Sequence, residues 1–116
     1  MKILVTGSNG LVGNAIHKLL NNSDHDHINT SWSLGGIASH VIDITDNESI
    51  EKVVDEFSPD AIINSAAMAN VDNCEVERDK CWKVNVDGVK NLVNTCDNYG
   101  IHLVHILSLI HISEPT

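Results

Sequence analysis

The chain has 116 residues, enough for one domain, and 42% of them are apolar while only 3% are aromatic, so a core must come from Val, Ile, Leu and Ala. Seven Lys and Arg against sixteen Asp and Glu leave a formal charge of -9. That balance argues against nucleic acid, which is bound by clustered cations, and against docking on an anionic membrane.

The elements follow in chain order. Ile3–Val5, ended by Gly7, reads as a strand buried on both faces of a parallel sheet, too short for a signal-peptide core or a membrane span. From Leu11 the period changes: Leu11, Val12, Ala15, Ile16, Leu19 and Leu20 predict one helical stripe, closed by Asn21, Asn22 and Ser23. A polar loop from Asp24 to His27 leads to a second strand around Ile28–Ser33. Gly35-Gly36 breaks the chain before a third strand, His40–Ile44. Thr45 with Glu48 three residues later predicts a capping box, opening a helix with Ile50, Val53, Val54 and Phe57 at helical spacing and ending at Ser58-Pro59. Ala61–Ile63 is a fourth strand. A long helix is expected over roughly Glu75 to Asn98, with Trp82, Val86, Val89, Val93 and Cys96 on one stripe, and Ile101–Ile106 is a fifth strand. Strands alternating with helices predict an α/β fold with right-handed crossovers, a doubly wound parallel sheet.

The densest chemical signal is Thr6-Gly7-Ser8-Asn9-Gly10-Leu11-Val12-Gly13, a G-x-x-G-x-x-G run between a strand and a helix. Gly7 would turn the chain out of the strand, Gly10 would let backbone approach a pyrophosphate, and Gly13 would let the helix pack closely. Ser8, Asn9, Leu11 and Val12 complete the predicted phosphate loop, where the first helical turn offers free N–H groups and a positive dipole end. The end of the second strand has neither an acid for a ribose 2′-OH nor an arginine. Ser31 or Ser33 could donate to a 2′-phosphate, which favours NADP(H) over NAD(H), or both are ordinary strand-end serines.

The glycine spacing resembles the extended branch of the short-chain dehydrogenase/reductase superfamily, a Rossmann-type fold. Pro59–Ala67, Val71-Asp72 with Glu75, Val84–Gly88 and Leu103–Ile106 are most similar to its dTDP-4-dehydrorhamnose reductase family. The resemblance implies that Asp43 and Ile44 frame the adenine and that Asn64, Ala66, Ala67 and Met68 line the inner cofactor path. It implies that Asn85 helps organise the active site. It also implies a cytoplasmic reductase of a nucleotide-activated 4-keto-deoxysugar, a homodimer when full length. Nucleotide-sugar epimerases and dehydratases share these motifs, as does the non-catalytic regulatory subunit of methionine adenosyltransferase.

The family pattern stops after Ile106. The resembling reductases continue with a catalytic Ser or Thr and a later Tyr-x-x-x-Lys, which pass and tune a proton to the substrate carbonyl. Here the sole tyrosine, Tyr99, has Leu103 four residues on and reads as helix-end packing. No catalytic residue is therefore assigned. The last ten residues, LSLIHISEPT, match CTG TCT CTT ATA CAC ATC TCC GAG CCC ACG, which resembles a transposase adapter. The expectation is a Rossmann part over residues 1–106, truncated after its fifth strand, followed by a non-native tail over 107–116. Such a piece should not turn over and should be only marginally stable. Cys74, Cys81 and Cys96 lack C-x-x-C spacing and read as reduced thiols. His25 and His27 read as a solvated loop, and His102, His105 and His111 as surface or core-edge residues, so no metal site is expected.

Overall fold

The computed structural model describes residues 1–32, 35–65 and 83–106. The elements are β1 (Lys2–Thr6), α1 (Leu11–Asn21), β2 (Asp26–Ser31), β3 (His40–Val41), α2 (Asn47–Phe57), β4 (Ala61–Asn64), a π-helical turn (Lys83–Gly88), α3 (Val89–Tyr99) and β5 (His102–His105). Every strand pair is parallel, and the sheet order is β3-β2-β1-β4-β5. The chain thus builds outward from β1 to one edge, then crosses back to start the other half at β4. This is the Rossmann-type doubly wound sheet, with its reversal point between β1 and β4.

The alternation of β1 explains why it reads as an unbroken apolar run. Leu4 faces a core of Ile42, Ile44, Ile50, Val53, Val54, Ile62, Leu92 and Cys96, while Ile3 and Val5 face Ile16 on the opposite side. Both faces are covered, so successive residues of either parity must be apolar.

Several boundaries and faces differ from the expectation. Asp26 and His27 belong to β2, because they pair with Lys2 and Ile3 of β1. The third strand is only His40–Val41, although Ile42 and Ile44 still enter the core. The cap of α2 is Asp46, whose side chain accepts from Glu48 N–H at 3.0 Å, not Thr45. Thr45 instead donates its N–H and hydroxyl to Asp43 Oδ1 at 3.0 and 2.6 Å. A carboxylate one residue nearer the helix takes the cap, since Asp outranks Thr there. On α1 the expected stripe is only partly used: Ile16 is buried and Leu20 half-buried, while Leu11, Ala15 and Leu19 are exposed.

The predicted long helix is represented by the π-helical turn and α3, and Trp82 lies outside the described residues. Its buried face is Gly88, Leu92, Thr95 and Cys96, with Val93 turned outward. A π turn holds more residues than an α turn, so a stripe counted at constant period drifts off the packed face. Burial with Asp97 nearby pushes the Cys96 thiol up to about 11. At the end of α3 the Tyr99 hydroxyl donates to Asp55 Oδ1 at 2.9 Å, joining the ends of α2 and α3. No helix among the described residues is long and apolar enough to cross a membrane.

Candidate functional site

At the reversal point the chain leaves β1 through Gly7, which has a φ of 67° and so holds a left-handed conformation that L side chains rarely adopt. Its carbonyl accepts from Gly10 N–H at 3.2 Å, closing the turn. Gly13 then sits against the turn itself. A Cβ there would lie 2.4 Å from the Gly7 oxygen and 2.5 Å from the Ser8 Cα, both backbone atoms that cannot swing away. The close approach is of helix to turn, rather than helix to sheet as expected.

Gly10 has neither reason. Its φ of -81° and ψ of 177° suit any residue. Among the described residues a Cβ would meet only the Gly7 oxygen, at an ordinary 3.6 Å. Gly10 is also the N-cap of α1 and makes no side-chain cap, leaving the N–H groups of Leu11, Val12 and Gly13 without the partners that a helix interior supplies. Leu11 is 88% exposed, so this helix end faces open space.

Ser8 turns out to be a brace. Its N–H donates to the Thr30 carbonyl at 2.9 Å, its hydroxyl donates to the Val5 carbonyl at 3.2 Å, and that hydroxyl accepts from Thr30 N–H at 3.0 Å. The residue is fully buried, so neither donor is free for a phosphate. Asn9 reaches the other way. Its amide donates to the Gly35 carbonyl at 3.0 Å and accepts from Ile37 N–H at 2.9 Å, clamping the loop after β2. Gly36 passes so close that a Cβ would fall 2.4 Å from Asn9 Oδ1.

Across the reversal point, Thr6 donates to Asn64 Oδ1 at 2.6 Å, and Asn64 Nδ2 lies 2.9 Å from His105 Nδ1. Asn64 is fully buried, so its side chain ties together the ends of β1, β4 and β5. Ser65 extends the seam, donating its hydroxyl to the Thr6 carbonyl at 2.6 Å. The crevice outside these strand ends is where open α/β sheets bind their ligands.

The remaining predicted residues are spread around this crevice. Asp43 is exposed beyond β3, its Oδ1 occupied by Thr45. Ile44 is a core residue whose side chain lies under Gly88, where a Cβ would approach its Cδ1 to 2.5 Å, and its carbonyl accepts from Asn91 at 2.9 Å. Ser31 is buried at the end of β2. Asn85 lies in the π-helical turn. Ser33, Ala66, Ala67 and Met68 lie outside the described residues. Sequence reading missed Thr6 and Thr30, because their partners stand 22 or more residues away and leave no local signal. It also missed His17, which meets His27 across the gap between α1 and β2. Burial, with His17 adding to it, lowers the His27 pKa from its ordinary value.

Comparison with known proteins agrees with this geometry. A family model described as the RmlD substrate binding domain matches residues 1–109. The chain is 32% identical over 108 residues to the "Probable low-salt glycan biosynthesis reductase Agl14" of Haloferax volcanii, covering 90% of this chain and 36% of that protein. It is 30% identical to a dTDP-4-dehydrorhamnose reductase of Aggregatibacter actinomycetemcomitans, covering 90% and 34%. It is 26% identical to methionine adenosyltransferase 2 subunit beta of Pongo abelii, covering 92% and 32%. The chain therefore spans about a third of the length of the curated relatives it matches.

Among solved structures, a dTDP-4-dehydrorhamnose reductase from Clostridium acetobutylicum superposes with a TM-score of 0.76 at 35% identity, over 89% of this chain and 34% of that one. The enzyme of the same name from Bacillus anthracis, in complex with NADP, gives 0.75 at 30% identity, over 88% and 34%. A Thermus thermophilus UDP-glucose 4-epimerase in complex with NAD gives 0.79 at 27% identity, over 89% and 36%.

Proposed function

The chain belongs to the RmlD substrate binding domain family, and from that premise we propose that it is the nucleotide-binding part of an NAD(P)H-dependent reductase acting on a nucleotide-activated 4-keto-deoxysugar. One observation carries the reading: Gly10 lacks a side chain that neither its backbone angles nor its neighbours among the described residues forbid. A bound pyrophosphate supplies the missing reason, since it must come within hydrogen-bonding distance of the loop backbone. The N–H groups of Leu11, Val12 and Gly13 then face the phosphate charge at the positive end of α1. Asn9 shapes the loop after β2, beside which the adenosine ribose would lie, and Asp43 Oδ2 is the acceptor offered to the adenine amino group. Ile44 contributes a floor through its backbone, and Asn64, Ala66, Ala67, Met68 and Asn85 flank the nicotinamide side.

The bound cofactor supplies hydride to the ketone carbon. The chain's own residues bind and orient it. NADP(H) is preferred, because the sequence has serines at 31 and 33 and no carboxylate from 30 to 33 to repel a 2′-phosphate. The Bacillus anthracis relative bound to NADP supports that preference. The parent protein is proposed to be cytoplasmic and dimeric. Because no Tyr-x-x-x-Lys occurs in the 116 residues, the chain by itself is proposed to bind nucleotide without turning over. Residues 107–116 are proposed to be translated adapter, a reading supported by the match of their residues to translated adapter DNA.

Similarity to methionine adenosyltransferase 2 subunit beta favours a second reading, nucleotide binding in service of a partner enzyme. Sequencing the source DNA across codon 106, then assaying the encoded protein with NADPH and a dTDP-4-keto-6-deoxyhexose, separates the two. NADPH oxidation dependent on the sugar supports the reductase. Tight NADPH binding without oxidation, in a protein lacking Tyr-x-x-x-Lys, overturns it in favour of the second reading.

A further inference from the structure

The face of β2 that meets α1 is polar where an apolar seam is usual. His27 and Asn29, two residues apart, share the face of Ile3 and Val5, with which they pair in register. His17, on α1, closes over them. Its Nδ1 lies 3.0 Å from His27 Nε2 and 2.9 Å from Asn29 Nδ2, and its Nε2 lies 3.1 Å from Asn21 Nδ2. The hydrogen bonding of this group is incomplete. One lone pair on His17 Nδ1 serves two neighbours, while Asn29, only 7% exposed, keeps Oδ1 buried with no partner among the described residues. The Asn29 atom that faces His17 is Nδ2, and a turn of the amide would exchange it for Oδ1, putting three potential donor atoms to a cation around one gap.

We propose that His17, His27 and Asn29 form a binding site for a divalent transition-metal ion of the zinc and cobalt class, held by His17 Nδ1, His27 Nε2 and the Asn29 amide oxygen. Two imidazole nitrogens about 2.0–2.1 Å from a tetrahedral ion stand about 3.3 Å apart, with ring centroids about 5.2 Å apart. Here the nitrogens are 3.0 Å apart and the centroids 5.2 Å, with the rings tilted by 58°. The rings need only pivot about their centres to admit the ion. The proton between them moves to Nδ1 of His27, a change of tautomer without net proton loss. A turn of the Asn29 amide brings its oxygen to the ion, and water completes the shell. The ion would fasten α1 to β2, away from the glycine loop and independently of any nucleotide.

The test uses the full 116-residue chain, made without a histidine tag and stripped of metal, titrated with Zn²⁺ by calorimetry and with Co²⁺ by absorption at neutral pH. One equivalent should bind, the melting temperature should rise, and the cobalt spectrum should show visible bands without a thiolate charge-transfer band, which excludes Cys74, Cys81 and Cys96. His27→Gln should weaken binding by more than about tenfold, as loss of groups around a metal commonly does, while His40→Gln should leave it unchanged. Should His27→Gln fail to fold, Cu²⁺ resonance of the unaltered chain must show coupling to two imidazole nitrogens. No saturable binding, a thiolate band, coupling to other than two imidazole nitrogens, or undiminished binding by folded His27→Gln each overturns the site.

Discussion

Replacing Gly10 and Gly13 in turn by alanine separates what the glycine loop does for the fold from what it does for a ligand. At Gly13 the new methyl would sit 2.4 Å from the Gly7 oxygen and 2.7 Å from the Ser8 carbonyl carbon, so α1 must move off the turn by the better part of an ångström. Overpacking of that kind costs about 1–3 kcal/mol. In a domain of this size each kcal/mol lowers the melting temperature by roughly 4–8 °C. At Gly10 the methyl has an ordinary 3.6 Å contact and an extended backbone, but alanine is a poorer N-cap than glycine, which offsets the about 0.4–1 kcal/mol gained from a less flexible unfolded chain. The stability of Gly10→Ala should therefore stay within about 1 kcal/mol of the parent. Nucleotide binding should fall at least about tenfold, or 1.4 kcal/mol, because the methyl stands where the pyrophosphate must approach. Urea melts and NADPH fluorescence titrations of both variants measure the two effects. If folded Gly10→Ala binds NADPH as tightly as the parent, Gly10 is not where the pyrophosphate approaches.

Two further outcomes follow from the same coordinates. Ser8→Ala leaves the buried Thr30 N–H without its acceptor, so stability should drop by about 1–3 kcal/mol while folded protein keeps its NADPH affinity. A loss of affinity without a loss of stability would restore Ser8 as a ligand. The sole tyrosine donates its hydroxyl to Asp55, which with the nearby carboxylates raises the Tyr99 pKa from its ordinary 10.0. Because the folded value lies above the unfolded one, the stabilisation is present below the unfolded pKa and is lost as pH rises through the folded pKa. Absorbance titration of the phenol should therefore show ionisation above the usual range, returning toward it in Asp55→Asn; an unchanged curve in that variant would refute the pairing.

How much of this was legible in the sequence depends on how local each determinant is. The strand–glycine–helix start, the parallel sheet and the core faces of β1 and α2 are written in runs and periods of a few residues, and they stand as read. The expected cap falls one residue early because Thr45 and Asp46 both suit an N-cap, and the bond that Thr45 makes back to Asp43, two residues away, leaves the cap to Asp46. The stripe on α3 was misjudged because a π turn breaks the constant period that such counting assumes. Ser8 reads as a ligand because its place between two glycines is visible, while Thr30, which takes its N–H and a hydroxyl lone pair as Val5 takes the hydroxyl proton, is 22 residues away.

The same contrast explains why Gly10 is the most informative residue of the loop. Three glycines look equivalent in a motif, yet each answers a different question: Gly7 satisfies the backbone, Gly13 satisfies the packing, and Gly10 has, among the described residues, only its place as the cap of α1. Glycine and alanine differ little in net stability at this cap, so a loss of nucleotide affinity in Gly10→Ala reports on the ligand and not on the fold. Affinity lost in Gly10→Ala, set against stability lost in Gly13→Ala, is the decisive observation.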